Sequence, residues 1–569
     1  MATTDKKKPQ PKLLTEEERS ELAHIAERGG LKGANARAKL GRDAARRGDN
    51  TTSSAAAEWP GLRLLRRGPR GYRGAGGGTQ PVVPLQTEYR TTNAQVAGAV
   101  YPWTVGAGAP LVGTPVGKHL TTGAPVCFDP LNWQVRGGFI TAAVCFILAL
   151  NGYGKSSLVR RMVLGSIAQG SPALILGDTK PDYVDLVEEV GGQVIRLGYG
   201  TGTLNPLAVG ALGAVLPQIG HDPELYRRVA ADVRARQVLQ TCGLVELVRR
   251  EPVADYEETL IATGLDLLYT PQSDGGYGFT PDQAPIIADL ADVVAAGAAP
   301  LRDAVAAVTD DEYRSSSRRL LQSLRALIRG RFGEIFNGQT SEPLDLGRPA
   351  VCVDISQIPE SEPLLLAAVL MTCWSDGLGA VEAAHVLADA GLAPKRTFSV
   401  VMDEMWRVIR AGGAGMVDRI DALTRLSRTV GVSLTMISHS VKDLESLGSE
   451  ADVKKALGFI ERARAKILGP LPPEELDRLT AVMSFSATER AMITSWASTE
   501  ALSGPAPRSG ERPLPPGTGK FLLKVGESGQ PGIPFQVVFT DAERSTQIHN
   551  TNKRFSDVGR ARQAVLRSV

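Results

Sequence analysis

The stretch Phe146-Ile-Leu-Ala-Leu-Asn-Gly-Tyr-Gly-Lys-Ser-Ser-Leu158 decides the fold. Its apolar first half predicts a buried strand, and Gly152 and Gly154 predict a tight turn before a helix at Ser157–Ala168. Glycines let the backbone N–H groups turn inward, and together with the N-terminus of the next helix these donors attract an anion. The stretch therefore predicts a strand–loop–helix unit that binds phosphate groups.

The pattern of this turn matches a nucleotide-binding P-loop. Lys155 is expected to reach the β- and γ-phosphate oxygens of ATP, and the Ser156 hydroxyl to bind Mg²⁺. One departure is Ala149, at the first position of the motif, where glycine is usual. The alternative is a chance glycine–lysine turn, and the strand before it argues against that. The residues expected to contact the nucleotide are Asn151, Gly152, Tyr153, Gly154, Lys155, Ser156 and Ser157.

A second apolar run, Thr397-Phe-Ser-Val-Val-Met-Asp-Glu-Met-Trp406, ends in two carboxylates. Asp403 at the strand tip is expected to hold Mg²⁺ through its water shell, and Glu404 to orient and polarise the attacking water. Alone, such a run could equally be a strand followed by an acidic turn. Beside a P-loop it predicts the hydrolytic half of an ATP site.

Six apolar runs predict strands that are buried on both faces. Such runs are typical of a mainly parallel sheet flanked by helices, and the alternation of strands and helices argues for an open α/β domain. Between residues 212 and 336 the periodicity becomes helical, which we interpret as an inserted all-α subdomain. The predicted strands are Phe139–Leu150, Ala173–Leu176, Gln193–Leu197, Ala350–Asp354, Thr397–Met402 and Ser433–Ile437.

The predicted organisation has five parts. A short helix is expected at Leu14–Arg28, and an antiparallel hairpin of Phe521–Val525 and Phe535–Phe539 is expected on the sheet edge. The parts are a basic, largely flexible N-terminal arm (1–100), the first part of the nucleotide-binding core (101–211), the all-α insertion (212–340), the second part of the core (341–540) and a basic tail (541–569).

The distribution of charge and the positions of the cysteines indicate possible partners and the redox compartment. Residues 1–75 carry 17 Lys and Arg against 9 Asp and Glu, whereas the whole chain has a net charge of only +3. A basic arm suits contact with nucleic acid, an acidic partner or an anionic membrane, and a solubilising disordered arm is the alternative. The five cysteines form no CxxC pair and the six histidines do not cluster, so we expect a reducing compartment and no histidine or cysteine metal site.

No segment predicts membrane insertion. The longest apolar runs, Ile140–Leu150 and Leu364–Trp374, fall short of the roughly 20 residues that cross a bilayer. The polar N-terminus does not resemble a signal peptide. We expect a cytoplasmic protein without a covalent membrane anchor.

Further candidate residues lie near the two motifs. Asp178-Thr-Lys-Pro-Asp-Tyr183 either helps to shape the nucleotide pocket or simply caps the next helix. Ser438 or His439, at the tip of another strand, could sense the γ-phosphate by a hydrogen bond. Arg425 and Arg428 could act as an arginine finger across a subunit boundary, or lie on a solvated helix face. A second basic candidate patch consists of Arg462, Arg464 and Lys466.

Together these pieces resemble one family, the conjugation and type IV secretion ATPases of the VirB/TraC type in the FtsK–HerA superfamily. The resemblance covers about residues 100–540, looks most like the actinobacterial versions, and implies a RecA-like P-loop NTPase core. Three departures are Ala149, His439 in place of the usual Gln, and an N-terminal domain reduced to the basic arm. The motifs that carry the resemblance are Asp129-Pro-Leu-Asn-Trp133, Gly152-Tyr-Gly-Lys-Ser156, Asp178-Thr-Lys-Pro-Asp-Tyr183, Gly191-Gly192, Asn205-Pro206, Asp403-Glu404 and Arg425-Leu-Ser-Arg-Thr-Val-Gly431.

The resemblance implies a homohexameric ATPase, with ATP and Mg²⁺ as cofactors. It would work on the cytoplasmic face of the membrane with the embedded channel proteins of a conjugative or type IV secretion apparatus. DNA is a further candidate partner, through the basic arm or a central pore. Two alternatives remain open at this point: a DNA translocase or packaging motor of the FtsK–HerA kind, and a non-catalytic scaffold that binds nucleotide.

Overall fold

The structure is a computed structural model of the 569-residue chain. It describes residues 13–52, 67–68, 71–72, 109–412, 431–441, 450–480, 482–498, 515–526, 530–546 and 548–549. The chain divides into two units, Met1–Leu85 and Gln86–Val569, which are treated separately below.

The first unit contains two helices, α1 (Glu16–Glu27) and α2 (Gly30–Thr52), and a two-residue pairing of β1 (Arg67–Gly68) with β2 (Gly71–Tyr72). Thr15 and Glu18 form a capping box at the start of α1: the Thr15 side chain accepts from the Glu18 N–H, and the Glu18 carboxylate accepts from the Thr15 N–H. Helix α2 was not predicted, because its interior glycines disfavour a helix. Buried Asp43 on α2 accepts from the Leu14 N–H and lies 3.4 Å from Arg19 Nε, so a tertiary contact stabilises a segment that we expected to be flexible.

The second unit alternates strands and helices. Up to the seventh strand its elements are β3 (Thr114–His119), β4 (Pro125–Phe128), α3 (Pro130–Val135), β5 (Val144–Leu148), α4 (Lys155–Ala168), β6 (Ala173–Asp178), α5 (Val184–Glu189) and β7 (Gln193–Arg196). A helical segment follows, with α6 (Gly210–Ala214), α7 (Pro223–Arg249), α8 (Asp255–Tyr269), α9 (Ile287–Ala296), α10 (Ala299–Ala304), α11 (Asp310–Ile328) and α12 (Gly330–Phe336).

After the helical segment the chain returns to the sheet. The remaining elements are β8 (Ala350–Asp354), α13 (Pro363–Asp389), β9 (Phe398–Met402), α14 (Met405–Gly412), β10 (Val432–Ser438), α15 (Glu450–Arg462), β11 (Ala465–Leu468), α16 (Pro473–Leu479), α17 (Ala487–Ala497), β12 (Lys520–Val525), β13 (Ile533–Val537) and α18 (Asp541–Ser545).

In the described residues, β3 to β13 form one sheet in the order β4-β3-β13-β12-β11-β5-β10-β9-β6-β8-β7. The strands from β11 to β7 in this order are parallel, and the other four pair antiparallel. This architecture confirms the predicted α/β class with a mainly parallel sheet. The predicted hairpin is present as β12 and β13, but it does not form the edge, because β3 and β4 extend the sheet beyond it.

The parallel strands are covered on both faces, as their apolar runs predicted. Along β5, Phe146 and Leu148 belong to a core shared with the helical segment, whereas Cys145 and Ile147 belong to a second core that contains Leu158 of α4. Successive strand residues point to opposite faces, so a strand without polar positions must be buried on both sides.

One helix meets the length and composition of a membrane span. Among the described residues only α13 does so, and 83% of its most apolar window is buried inside the protein. Small residues such as Gly377 and Ala380 continue the helix beyond the apolar run predicted at Leu364–Trp374, and both are buried. Its burial is that of a core helix packed beneath the sheet.

Candidate functional site

The sheet order brings the two predicted motifs to one edge. β10 pairs with β5 on one side and β9 on the other, with Ser438 level with Leu148 and Met436 level with Met402. Because these strands are parallel, their carboxyl ends lie together. The P-loop after β5, His439 after β10 and the acidic pair after β9 therefore meet at the same edge.

The loop has the conformation that its glycines allow. Gly152 has φ 84° and Gly154 has φ 93°, a left-handed region that favours glycine, and α4 begins at Lys155. The Lys155 ammonium lies inside the loop, where it donates to the carbonyls of Ala149 (2.6 Å) and Leu150 (3.2 Å) and to Asn151 Oδ1 (3.2 Å). Burial lowers the pKa of Lys155 to about 8, although Asp403 and Glu404 oppose the shift.

The structure also explains the alanine at the first position of the motif. Ala149 is fully buried, and the residue beside it at the end of β11 is Gly469. A Cβ on Gly469 would lie only 2.5 Å from the Ala149 Cβ. The space for the Ala149 methyl group is therefore supplied by a glycine on the neighbouring strand, and the loop backbone keeps its course.

The remaining P-loop residues contact the C-terminal part of the sheet domain. The Tyr153 carbonyl accepts from the Gly519 N–H at 2.9 Å, and its hydroxyl donates to the Ala497 carbonyl at 3.4 Å. Ser157 is half-buried in the first turn of α4. The segment before β12 thus forms a wall of the loop that the sequence did not indicate.

The predicted Mg²⁺ hydroxyl, Ser156, contacts the segment that follows β6. Its Oγ donates to Asp182 Oδ2 at 2.8 Å. Asp178 accepts from the N–H groups of Asp182 (3.1 Å) and Tyr183 (2.7 Å), and burial raises the pKa of Asp178 to about 8. Both interpretations of this segment therefore apply: Asp178 caps a turn, and Asp182 reaches the nucleotide loop.

Arg160 supports this contact from the next turn of α4. Its side chain is fully buried, with Nη2 3.7 Å from Asp182 Oδ1 and Nη1 donating to the Ile548 carbonyl. A buried charge needs a partner, and the Asp182 carboxylate supplies the opposite charge. Arg160 was not predicted as a site residue. The only signal was its position one helical turn after Ser156, which places both side chains on the same face of α4.

Asp403 is partly buried and lies near other acidic groups. Burial, and then the charge of Glu404, raise the pKa of Asp403 to about 7, while Lys155 acts in the opposite direction. The hydroxyl of fully buried Tyr183 lies 3.5 Å from Asp403 Oδ2, and burial raises the Tyr183 pKa. The mutual effects on pKa of Lys155 and Asp403 show that the two motifs are close enough to interact.

Glu404 is held by three side chains that all contact its Oε2 atom. The Trp406 indole donates to it, Arg407 Nε lies 3.6 Å away and His439 Nδ1 lies 3.7 Å away. Glu404 has φ 55°, which is uncommon for a residue with a Cβ. Trp406 and Arg407 were not predicted as site residues. Their positions directly after the acidic pair were the only signal.

Two predicted groups have different outcomes. Arg425 and Arg428 lie outside the described residues, so their role as an arginine finger stays a prediction. The prediction of a basic patch at Arg462, Arg464 and Lys466 is wrong for Lys466. This lysine is buried in β11 and donates to the Ala463 carbonyl at 2.7 Å. Lys466 therefore serves the sheet rather than a basic surface.

The donor chemistry fits Mg²⁺ bound together with a nucleotide. Ser156 and Asp403 offer hard oxygen ligands, and Asp182 adds a carboxylate beside them. In the described part of the chain no group of three or more His, Cys, Asp or Glu side chains forms a complete metal site. Mg²⁺ does not require one, because phosphate oxygens and water supply its other ligands.

Comparison by sequence gives no match, neither to a protein-family model nor to a curated protein. Comparison with solved structures gives VirB4 of Thermoanaerobacter pseudethanolicus with a TM-score of 0.56 and 19% identity, covering 77% of this chain and 100% of that chain. This similarity confirms, at the level of the fold, the resemblance and the RecA-like core predicted from the motifs.

Two further structures match more loosely. The plasmid coupling protein TrwB in complex with ADP and Mg²⁺ has a TM-score of 0.42 and 14% identity, covering 77% of this chain and 97% of that chain. The cytoplasmic domain of the Thermomonospora curvata type VII secretion ATPase EccC has a TM-score of 0.27 and 13% identity. The match covers 76% of this chain and 30% of that chain. The fold assignment therefore rests on VirB4.

Proposed function

We propose that this chain is an ATP-hydrolysing motor of a conjugative DNA-transfer or type IV secretion apparatus. The observation that carries the proposal is the edge where β5, β10 and β9 end side by side. That edge holds a lysine and a hydroxyl in a glycine loop, and an acidic pair across from them. This is the set of groups that phosphoryl transfer to water requires.

Each group has a defined task in this proposal. The loop N–H groups and Lys155 bind the phosphates, and a proton-bearing Lys155 neutralises charge that develops on them. Ser156 and Asp403 would hold Mg²⁺, which would neutralise negative charge on the phosphate groups. Glu404 orients the attacking water, and His439, directly after the strand between the motifs, lies close enough to position Glu404.

The partners follow from the resemblance. We propose a homohexamer at the cytoplasmic face of the membrane, docked on embedded channel proteins, with Arg425 or Arg428 completing the site of a neighbouring subunit. Light scattering with ATP and Mg²⁺ tests the assembly. A species of monomer size only, at micromolar protein, contradicts the hexamer.

The activity is tested by phosphate release from the parent, Lys155→Ala and Glu404→Gln. We expect the two variants to lose at least 100-fold in rate, because each removes a group that acts on the transferred phosphate or the water. Nucleotide affinity should fall in Lys155→Ala and be kept in Glu404→Gln. A parent rate no higher than that of both variants contradicts hydrolysis and leaves a nucleotide-binding scaffold.

DNA dependence separates this motor from a DNA pump. The rate is measured with and without single- and double-stranded DNA at two salt concentrations. A pump that grips the DNA backbone should be stimulated by DNA, and the stimulation should fall steeply with salt because counterions are released on binding. A secretion motor that energises assembly hydrolyses ATP without that dependence.

A further inference from the structure

Trp406 and Arg407, which both contact Glu404, also line a cavity of about 540 Å³. It opens where the end of α7 meets α14 and the start of α13. Its wall contains three guanidinium groups, one indole and one carboxylate. The lining residues that the argument uses are Arg250, Glu360, Trp406, Arg407 and Arg410.

Among the described residues that line the cavity, three are arginines and one is a carboxylate. Three arginines face one carboxylate, Glu360, which pairs with Arg407 at 2.9 Å. Arg407, and less strongly Lys180, lower the pKa of Glu360, so the carboxylate is ionised and already neutralised by Arg407. Among the described residues no ion pair engages Arg250 or Arg410. Their two charges remain available at the mouth of the cavity.

The backbone at Arg250 supports a role for its side chain. Arg250 follows the last residue of α7 with φ 58°, and its N–H donates to the Glu246 carbonyl at 2.6 Å. This position after a helix normally takes glycine, since a Cβ is disfavoured in the left-handed region. Arginine therefore stands there at a conformational cost, and it is one of the residues that line the cavity.

Guanidinium groups bind phosphate in a bidentate manner, and they do so better than an ammonium group. We propose that this cavity binds a phosphate group, from free phosphate or from a nucleic-acid backbone, and that its occupancy is transmitted to Glu404. The ligand class follows from three arginines and one carboxylate among the described residues that line the cavity. The adjacent indole offers a face for a base if the phosphate belongs to a single strand.

Arg407 provides the route to Glu404. The same guanidinium binds Glu360 in the cavity wall and lies 3.6 Å from Glu404 Oε2 at the nucleotide edge. The neighbouring Trp406 lines the cavity and donates to the same oxygen. A phosphate that recruits Arg407 weakens its hold on Glu404, and the carboxylate gains freedom to engage the water. This second step rests on the proposed ATPase function.

Binding is tested on the full chain saturated with a non-hydrolysable ATP analogue and Mg²⁺, so that the P-loop is not the phosphate site. The probes are inorganic phosphate, followed by intrinsic tryptophan fluorescence, and a labelled single-stranded oligonucleotide, followed by anisotropy. The test variant is Arg250→Gln/Arg410→Gln. The control is Arg314→Gln/Arg318→Gln, which removes the same charge from the exposed face of α11.

We expect the test variant to bind at least 10-fold more weakly and the control to stay within 2-fold of the parent. The fluorescence response to phosphate should vanish in Trp406→Phe, which localises the site. If the test variant binds only the oligonucleotide more weakly, the phosphate group that occupies the cavity belongs to nucleic acid. If the test variant binds only inorganic phosphate more weakly, the ligand is the free ion. Absence of binding to the parent, or equal binding by test and control variants, overturns the proposal.

The link to Glu404 is tested by ATP turnover. A bound ligand should raise the rate of the parent at least 3-fold and leave the Arg250→Gln/Arg410→Gln rate unchanged, while the basal rates agree. A ligand that binds the parent without changing its turnover overturns the link. A parent that binds the probes but never releases phosphate contradicts the proposed function and leaves the anion site standing.

Discussion

The contact between Ala149 and Gly469 offers a direct test of how the P-loop is supported. In Gly469→Ala, the new Cβ would lie 2.5 Å from the Ala149 Cβ and 3.0 Å from a carbon of the Phe521 ring. Carbon atoms pack at about 3.5–4.0 Å, so the end of β11 and the loop must separate by about 1 Å. Overpacking of this kind costs about 1–3 kcal/mol.

The reasoning predicts a rescue. Ala149→Gly/Gly469→Ala restores a single methyl group between the two strands and leaves only the smaller contact with Phe521 to relax. We expect Gly469→Ala to lower the thermal midpoint and to weaken the binding of a fluorescent ADP analogue, because the displaced loop presents its N–H groups poorly. The double variant should recover most of both losses.

Gly220→Ala is the matched control. Gly220 is exposed, and its new Cβ would meet only the Pro217 carbonyl oxygen at the ordinary distance of 3.5 Å. Its midpoint and nucleotide affinity should equal those of the parent. A Gly469→Ala protein as stable as the parent, or a double variant no better than Gly469→Ala alone, refutes the explanation of the alanine in the motif.

Three further substitutions test the site. Asp182→Asn removes the charge that neutralises buried Arg160. Because Asp182 is 20% exposed, we expect the free energy of unfolding to fall by about 1–3 kcal/mol, which lowers the thermal midpoint, and we expect weaker Mg²⁺–nucleotide binding; unchanged values would show that the pair is not needed. Burial raises the pKa of Asp178 to about 8 in the folded state, whereas in the unfolded chain the carboxyl loses its proton near pH 4. The contribution of Asp178 to the free energy of unfolding therefore falls as the pH rises from about 4 to about 8, by up to about 1.4 kcal/mol per pH unit. Asp178→Asn should flatten the midpoint-versus-pH curve between pH 5 and 8, and a parallel curve would contradict the assigned shift. Gly154→Ala places an alanine at φ 93°, while its new Cβ would meet only Gly519, at 3.6 Å. The cost of about 1–2 kcal/mol should therefore come from the backbone and lower the affinity for nucleotide. A variant with full affinity would show that the loop tolerates another conformation.

The sequence alone determined the local units. An apolar run followed by glycines and a lysine is a strand, a turn and a helix because each step depends on neighbours along the chain. The order is as predicted, although β5 (Val144–Leu148) is shorter than the predicted Phe139–Leu150 and α4 begins at Lys155 rather than at Ser157. The runs without polar positions correctly indicated strands covered on both faces, as the observed bounds of β6, β8 and β9 show. The acidic pair at the end of β9 was likewise visible, since its strand ends where the apolar residues end.

The tertiary structure alone decided how these units combine. Three features join residues that are distant along the chain. They are the position of β10 between β5 and β9, the hydrogen bond from Ser156 to Asp182 and the space that Gly469 leaves for the Ala149 methyl group. Periodicity records which face of an element is buried, but it does not record what the face packs against. Strand order and pairwise fit arise from burying both faces of the sheet at once, and for that reason they become readable only when the whole chain is folded.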